Sequence, residues 1–157
     1  PFATVLSCID SRTSAELIFD QGLGDVFSVR IAGNIVNTDI LGSMEFACKV
    51  SGAKLILILG HTSCGAIKSA IDDVQMGNIT AMLAKIKPAV AMSENFKGEK
   101  NSKNGLYADE VGKNNVLNTI ETIKQRSQIL KEMLDKGEIK IAGAFYDIKS
   151  GVVNFLE

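Results

Sequence analysis

The amino-acid sequence predicts an α/β protein with a mostly parallel β-sheet, flanking helices and an antiparallel hairpin at its C-terminal edge. Short apolar segments rich in β-branched residues alternate with segments whose apolar residues recur every three or four positions. These are the patterns of strands and helices, and strands separated by helices usually pair in parallel. With 157 residues, 46% of them hydrophobic, the chain fits one domain, residues 1–157, with a substantial core.

Turn-forming and helix-capping residues delimit the elements in the first part of the chain. Three strands are predicted, over residues 2–9, 26–31 and 54–59. The third is apolar from residue 55 to residue 59, as in a strand buried on both faces. Four helices are predicted, over residues 11–21, 38–52, 64–75 and 79–91. Thr38 is a typical N-cap and Gly52 a typical end of the second helix, and Pro88 is expected to end or kink the fourth.

The second part of the chain is expected to begin with an exposed loop. Residues 93–105 are rich in Lys, Asn and Gly, and residues 107–134 have helical periodicity, with a break expected near Gly112. Two further strands, joined by a Lys-Ser-Gly turn, are predicted over residues 139–146 and 152–156.

Composition argues against several classes of partner. The net charge is −1, tryptophan is absent and no basic run is interleaved with aromatic residues, so we expect no nucleic-acid partner. The longest apolar run, residues 55–59, is too short to cross a membrane, and we expect no membrane partner. Three cysteines suggest reduced thiols or a metal rather than a disulfide framework, which favours the cytoplasm. Pro1 leads directly into a strand, so we expect a piece of a longer chain, and an upstream signal peptide would instead favour the periplasm.

Two short motifs lie where predicted strands end. Cys8-Ile9-Asp10-Ser11-Arg12 closes the first strand, and His61-Thr62-Ser63-Cys64 closes the third. Ligands of open α/β sheets bind outside the carboxyl ends of the strands, so both motifs are expected at one site. Two thiolates and an imidazole are a ligand set for catalytic Zn²⁺ with its fourth position open to water. The sequence therefore predicts a zinc site made by Cys8, His61 and Cys64.

Asp10 and Arg12 are expected to act together beside this site. Two residues apart in an extended segment, their side chains lie on one side of it. Arg12 would keep the Asp10 carboxylate ionised and oriented, and that carboxylate could accept a hydrogen bond from water on the metal. If Arg12 released it, Asp10 could bind the zinc itself and close the site.

The cysteines also allow interpretations other than catalytic zinc. A structural zinc site would need a fourth ligand, for which Asp10 is the candidate. A redox pair would need a Cys-x-x-Cys motif, which the sequence lacks. Cys48 has no partner at ligand spacing and is interpreted as a small core residue.

The two motifs closely resemble those of the β-class carbonic anhydrases. The resemblance extends over nearly the whole chain and includes Arg30-Ile31-Ala32-Gly33-Asn34, Gly60 to Gly65 and Gly143-Ala144-Phe145-Tyr146-Asp147. It implies that Cys8, His61 and Cys64 bind one Zn²⁺ per chain and that Asp10 and Arg12 are the catalytic pair. The implied reaction is the reversible hydration of CO₂ to bicarbonate and a proton by zinc-bound hydroxide.

The resemblance also implies a substrate pocket and an oligomer. Its substrate-binding positions would be Phe27, Ala32, Phe46 and Gly65. The implied assembly is a homodimer or a higher homo-oligomer, with each cleft lined by two subunits. The family's N-terminal helical arm and an upstream glutamine are expected to be missing before Pro1.

The sequence also bears on regulation and on alternative activities. Some bacterial members of the family hold a regulatory bicarbonate with a tryptophan, an arginine and a tyrosine. Arg30 matches the arginine but Val5 stands at the tryptophan position, so we expect no such site and an open zinc sphere near neutral pH. Hydrolysis of COS or CS₂ on the same scaffold, and zinc binding without turnover, remain alternative functions.

Overall fold

A five-stranded sheet forms the centre of the computed structural model, which describes residues 1–156. The strands are β1 (Ala3–Ser7), β2 (Val26–Arg30), β3 (Leu55–His61), β4 (Lys140–Tyr146) and β5 (Val153–Leu156). Their order is β2-β1-β3-β4-β5. The pairs β1–β2, β1–β3 and β3–β4 are parallel, and β4–β5 is antiparallel. The predicted α/β class with a C-terminal antiparallel edge is therefore confirmed.

Helices lie between the strands. They are α1 (Ala15–Ile18), α2 (Thr38–Glu45), α3 (Gly65–Ile71), α4 (Gly77–Leu83), α5 (Lys87–Met92), α6 (Gly105–Arg126) and α7 (Gln128–Asp135). A 3₁₀ turn covers Ala32–Asn34, and a π-helical turn, Phe46–Val50, continues α2. Among the described residues, no helix has both the length and the apolar composition required to span a bilayer.

Strand register determines where the two motifs meet. Ser7, the last residue of β1, lies opposite Leu59 of β3 and Arg30 of β2. Because these strands are parallel, their carboxyl ends lie at the same edge of the sheet. Cys8 follows β1 directly and His61 is the last residue of β3. The fold thus places both motifs at one edge.

Helix α6 packs closely on the centre of the sheet. A Cβ atom on Gly60 would lie 2.8 Å from Val116 Cγ2, and one on Gly143 would lie 2.8 Å from Val116 Cγ1. The glycines of β3 and β4 therefore let Val116 of α6 sit against the sheet backbone. Leu6, Ile58 and Val116 belong to one buried core between the sheet and its helices.

Several boundaries differ from those predicted, and the first predicted helix, residues 11–21, is only the short α1. Helix α6 continues through Gly112 without a break. The glycine instead leaves room for Phe145, which a Cβ atom at this position would approach to 3.0 Å. The break lies at Ser127, whose Oγ accepts the Leu130 N–H and caps α7. The fourth predicted helix, residues 79–91, is interrupted near Pro88, as expected, and forms the two helices α4 and α5. Pro88 lies in the first turn of α5, where its missing N–H costs no hydrogen bond.

The second helix also begins differently from the prediction. Its N-cap is Asn37 rather than Thr38, since Asn37 Oδ1 accepts the Ile40 N–H at 2.9 Å. Asparagine and threonine both cap helices, and the sequence could not distinguish them.

Candidate metal centre

The three predicted ligands form a compact, buried cluster. One ligand atom from each of Cys8, His61 and Cys64 lies within 4.8 Å of the others. The exposed fractions are 4%, 2% and 4%, respectively. Cys8 comes from the end of β1, His61 from the end of β3, and Cys64 from the position preceding α3. Parallel pairing of β1 with β3 therefore brings together residues that are far apart in sequence.

The imidazole of His61 presents a free nitrogen to this cluster. Its Nδ1 lies 2.8 Å from the Thr62 carbonyl oxygen, which can only accept, so we assign the ring hydrogen to Nδ1. The Nε2 atom is then an acceptor, and it is buried without a hydrogen-bond partner among residues 1–156. A buried, unpartnered imidazole nitrogen beside two sulfurs fits a metal ligand. The Thr62 carbonyl was not identified from the sequence, because every residue carries a carbonyl.

The two thiols influence each other strongly. A hydrogen bond from the Cys64 thiol lowers the pKa of Cys8, while the neighbouring Cys8 sulfur and burial raise the pKa of Cys64. The Gly33 N–H also points at Cys8 Sγ, at 3.4 Å. The first sulfur of the pair therefore ionises more readily than the second, and a bound cation would favour the thiolate form of both. Two thiolates and one imidazole suit a borderline-soft divalent ion such as Zn²⁺.

Asp10 and Arg12 form a two-point ion pair next to the cluster. Arg12 Nε donates to Asp10 Oδ1 at 2.8 Å and Nη2 donates to Oδ2 at 2.7 Å. The Arg12 backbone N–H also donates to Oδ1, at 3.0 Å. These hydrogen bonds hold the pKa of Asp10 well below its usual range. The structure therefore brings the two predicted catalytic residues together, with the carboxylate ionised.

Two further side chains fix the loop that carries Asp10. Arg30 donates from Nε to the Cys8 carbonyl at 2.9 Å and from Nη2 to the Asp10 carbonyl at 2.5 Å. Thr13 Oγ1 donates to the Asp10 carbonyl at 2.9 Å. The sequence indicates Arg30 only through the family resemblance. Its contact with this loop depends on the β1–β2 register, which the sequence does not give.

The four predicted substrate-binding residues fall into two groups within one chain. Gly65 follows Cys64 directly, and Ala32 precedes Gly33, so both adjoin the cluster. Phe27 and Phe46 instead line an open groove of about 880 Å³ between β2 and α2. None of the three candidate metal ligands lines that groove. A single chain therefore does not bring all four residues into one pocket.

The chain is an α/β protein with a buried Cys-His-Cys donor set and an Asp–Arg ion pair at the carboxyl edge of a parallel sheet.

Comparison with known proteins gives the family. The family model described as carbonic anhydrase matches residues 3–153. The chain is 37% identical to a carbonic anhydrase of Mycolicibacterium smegmatis, over 98% of this chain and 73% of that protein. It is 34% identical to carbonic anhydrase 2 of Mycobacterium tuberculosis, over 96% of this chain and 72% of that protein. A tetrameric β-carbonic anhydrase of Sordaria macrospora superposes with a TM-score of 0.85 and 26% identity, over 99% of this chain and 80% of that one. The chain belongs to the β-class carbonic anhydrase family of enzymes, as the sequence motifs predicted.

Proposed function

We propose that this chain catalyses the reversible hydration of CO₂ to bicarbonate and a proton, with one Zn²⁺ held by Cys8, His61 and Cys64. The observation that carries the proposal is the buried donor set, in which His61 Nε2 has no other partner among the described residues. When bound, zinc would lower the pKa of a water molecule from 15.7 to about 7 and so supply a nucleophile at neutral pH.

The roles of the neighbouring residues follow from their contacts. The Asp10 carboxylate accepts hydrogen bonds from Arg12 at both oxygens. It keeps lone pairs that can accept a further hydrogen bond from water. Arg12 holds this carboxylate ionised and oriented. Because both oxygens are engaged by Arg12, the ion pair supports a zinc site with three protein ligands rather than one closed by Asp10.

We further propose that the active unit contains two copies of the chain. Phe46 is 58% exposed, and the groove that it forms with Phe27 borders β2, an edge strand of the sheet. A second copy placed along this edge would cover the aromatic groove and could bring Phe27 and Phe46 to the partner's zinc site. Phe46→Glu tests this arrangement and should convert a dimer to a monomer in sedimentation equilibrium, with loss of turnover.

The decisive measurement for the reaction is stopped-flow CO₂ hydration by the zinc-loaded chain at pH 8.5. We expect turnover well above that of buffer and of the metal-free protein. The same protein is assayed with COS. Hydrolysis of COS without CO₂ hydration would assign the alternative hydrolase activity. One zinc per chain with neither activity would assign a zinc-binding protein without turnover.

A further inference from the structure

Helix α6 forms hydrogen bonds to the turn that carries His61 and Cys64 and to the turn at Gly33, whose N–H faces Cys8. Asp109 Oδ1 accepts the backbone N–H of Ser63, which lies between His61 and Cys64, at 3.2 Å. Six positions further along the helix, Asn115 Nδ2 donates to the Gly33 carbonyl at 2.7 Å. The N–H of that same Gly33 points at Cys8 Sγ. One helix therefore contacts the supports of all three ligands.

Both turns contain backbone conformations that side chains rarely adopt. Ser63 has a φ angle of 57° and Asn34, which follows Gly33, has a φ angle of 41°. Left-handed conformations of residues other than glycine are strained and persist when surrounding contacts hold them. The Ser63 N–H bond to Asp109 is one such contact, and Thr119 Oγ1 of α6 donates to the Asn34 carbonyl at 3.3 Å.

The position of α6 leaves little freedom in these contacts. Val116 packs against Gly60 and Gly143, and Gly112 packs against Phe145, at distances that leave no room for a Cβ atom without displacement. Gly60 directly precedes His61. This packing holds α6 at a fixed position relative to the ends of β1 and β3. It therefore also fixes Asn115, which is next to Val116, and Asp109, which lies nearly two turns earlier.

Asn115 is unusual for a residue at a packed interface. Its side chain is fully buried, at 0% exposure, in a part of α6 whose neighbours Val111 and Val116 are core residues. Burying an amide costs free energy unless its polar atoms are bonded, and Asn115 Oδ1 has no hydrogen-bond partner among residues 1–156, so an apolar side chain would be the simpler choice for packing. The bond to the Gly33 carbonyl links this buried amide directly to the turn whose N–H faces Cys8.

We propose that α6 aligns the two halves of the metal centre, with Asp109 and Asn115 as positioning residues. Asp109 orients the turn that carries His61 and Cys64, and Asn115 orients the Gly33 amide toward Cys8. Neither residue needs to touch substrate or metal. The metal-related part of this inference rests on the proposed zinc site, whereas the restraint of the two turns stands on the protein contacts alone.

The test uses two disruptive variants, one conservative variant and two matched controls. Asp109→Leu and Asn115→Leu remove the hydrogen bonds to the turns. Asp109→Asn keeps an acceptor oxygen for the Ser63 N–H. The controls are Glu110→Leu, next to Asp109, and Asn114→Leu, next to Asn115. Asn114 bonds to Ser93 rather than to either of the two turns.

The first readout is amide hydrogen exchange of the metal-free proteins. We expect exchange of residues 61–65 to be about tenfold faster in Asp109→Leu, and that of residues 31–35 to be similarly faster in Asn115→Leu. Asp109→Asn and both controls should retain the exchange of the parent chain in these segments. Unchanged exchange in the two disruptive variants would overturn the proposed restraint, whether or not the parent chain binds zinc.

The second readout is zinc affinity, measured by competition with a chromophoric chelator, together with the absorption spectrum of the Co²⁺-loaded protein. We expect Asp109→Leu and Asn115→Leu each to bind zinc about 10- to 100-fold more weakly and to shift the thiolate–cobalt bands. Asp109→Asn should retain the zinc affinity and the cobalt spectrum of the parent chain. Faster exchange with unchanged affinity and spectra would overturn the alignment role. Equal losses of zinc affinity in Asn114→Leu and Asn115→Leu would overturn the alignment role too, because general destabilisation of α6 would then explain the weaker binding. Failure of the parent chain to bind zinc would instead overturn the proposed function.

Discussion

Arg30, the last residue of β2, donates its Nε hydrogen to the backbone carbonyl of Cys8, the residue that directly follows β1. Its Nη2 reaches the Asp10 carbonyl in the same loop. A planar guanidinium can hold two carbonyls in a fixed relative orientation, which a lysine ammonium on a flexible chain cannot. Arg30 thus fixes the segment between a candidate metal ligand and a candidate catalytic carboxylate.

Arg30→Lys is expected to lower CO₂ hydration about tenfold while zinc remains bound at one per chain. The charge is kept, but the two-carbonyl geometry is lost, so Asp10 is less well oriented. The turnover number and the zinc content are measured on the same preparation. Arg126→Lys, an exposed position at the end of α6, is the control. Turnover within twofold of the parent chain would contradict a role for Arg30 in orienting the loop.

Cys64→Ser is expected to reduce bound zinc to below one ion per ten chains after dialysis against a weak chelator. A serine hydroxyl does not ionise at neutral pH and is a poor ligand for a borderline-soft ion. Cys48→Ser is the matched control, because Cys48 is also buried and unpaired but belongs to the core under α2. Elemental analysis gives the result. Full zinc occupancy in Cys64→Ser would remove Cys64 from the ligand set.

Asp10→Asn is expected to keep zinc and to lose turnover by at least about 100-fold. The amide cannot accept at both positions from Arg12, and it carries no charge to hold a proton beside the metal. Stopped-flow hydration at pH 8.5 provides the measurement, and Asp135→Asn, at the exposed end of α7, is the control. An unchanged rate would exclude Asp10 from the mechanism, whatever its geometry.

Gly60→Ala is expected to destabilise the protein by about 1–3 kcal/mol, because the new methyl group would overlap Val116 and Phe145. Gly42→Ala in α2 has no atom within 4 Å of the added Cβ, and it should stabilise by up to about 1 kcal/mol through helix propensity. Urea unfolding of the metal-free variants gives both values. Equal effects of the two substitutions would argue against close packing of α6 on β3.

Asp147→Asn should change the dependence of stability on pH. The N–H of Lys149 and the hydroxyl of Ser150 donate to the Asp147 carboxylate and lower its pKa. A carboxyl with a lower pKa in the folded state contributes stability above its unfolded pKa of about 3.9, and the contribution is lost as pH falls through the folded value. The parent chain should therefore be more stable than the variant at pH 6, with the difference shrinking below about pH 4. A difference that is constant from pH 6 to pH 2 would refute this.

The sequence predicted the strands and the ligand cluster because both depend on local patterns. Apolar runs identify β1 and β3, and parallel pairing places their ends, and so Cys8 and His61, together. Asp10 and Arg12 are near neighbours in sequence, and their ion pair follows from that spacing.

The supports of the site could not be predicted in the same way. Asn115 and Gly33 are 82 residues apart, and their contact depends on the exact register of α6 on the sheet. Gly112 illustrates the problem, because a glycine in a helix suggests a break locally but provides room for Phe145 in the tertiary structure. The separation of Phe27 and Phe46 from the cluster likewise depends on which strand lies at the edge.

The order of synthesis gives the contacts of α6 a further consequence. A growing chain carries Cys8, His61 and Cys64 well before it carries Asp109, Asn115 or Thr119, which restrain the turns around them. A nascent chain that has reached residue 64 therefore holds every candidate ligand without the helix that aligns them. If α6 aligns the ligands as proposed, the order of synthesis separates the arrival of the ligands from the arrival of the contacts that orient them.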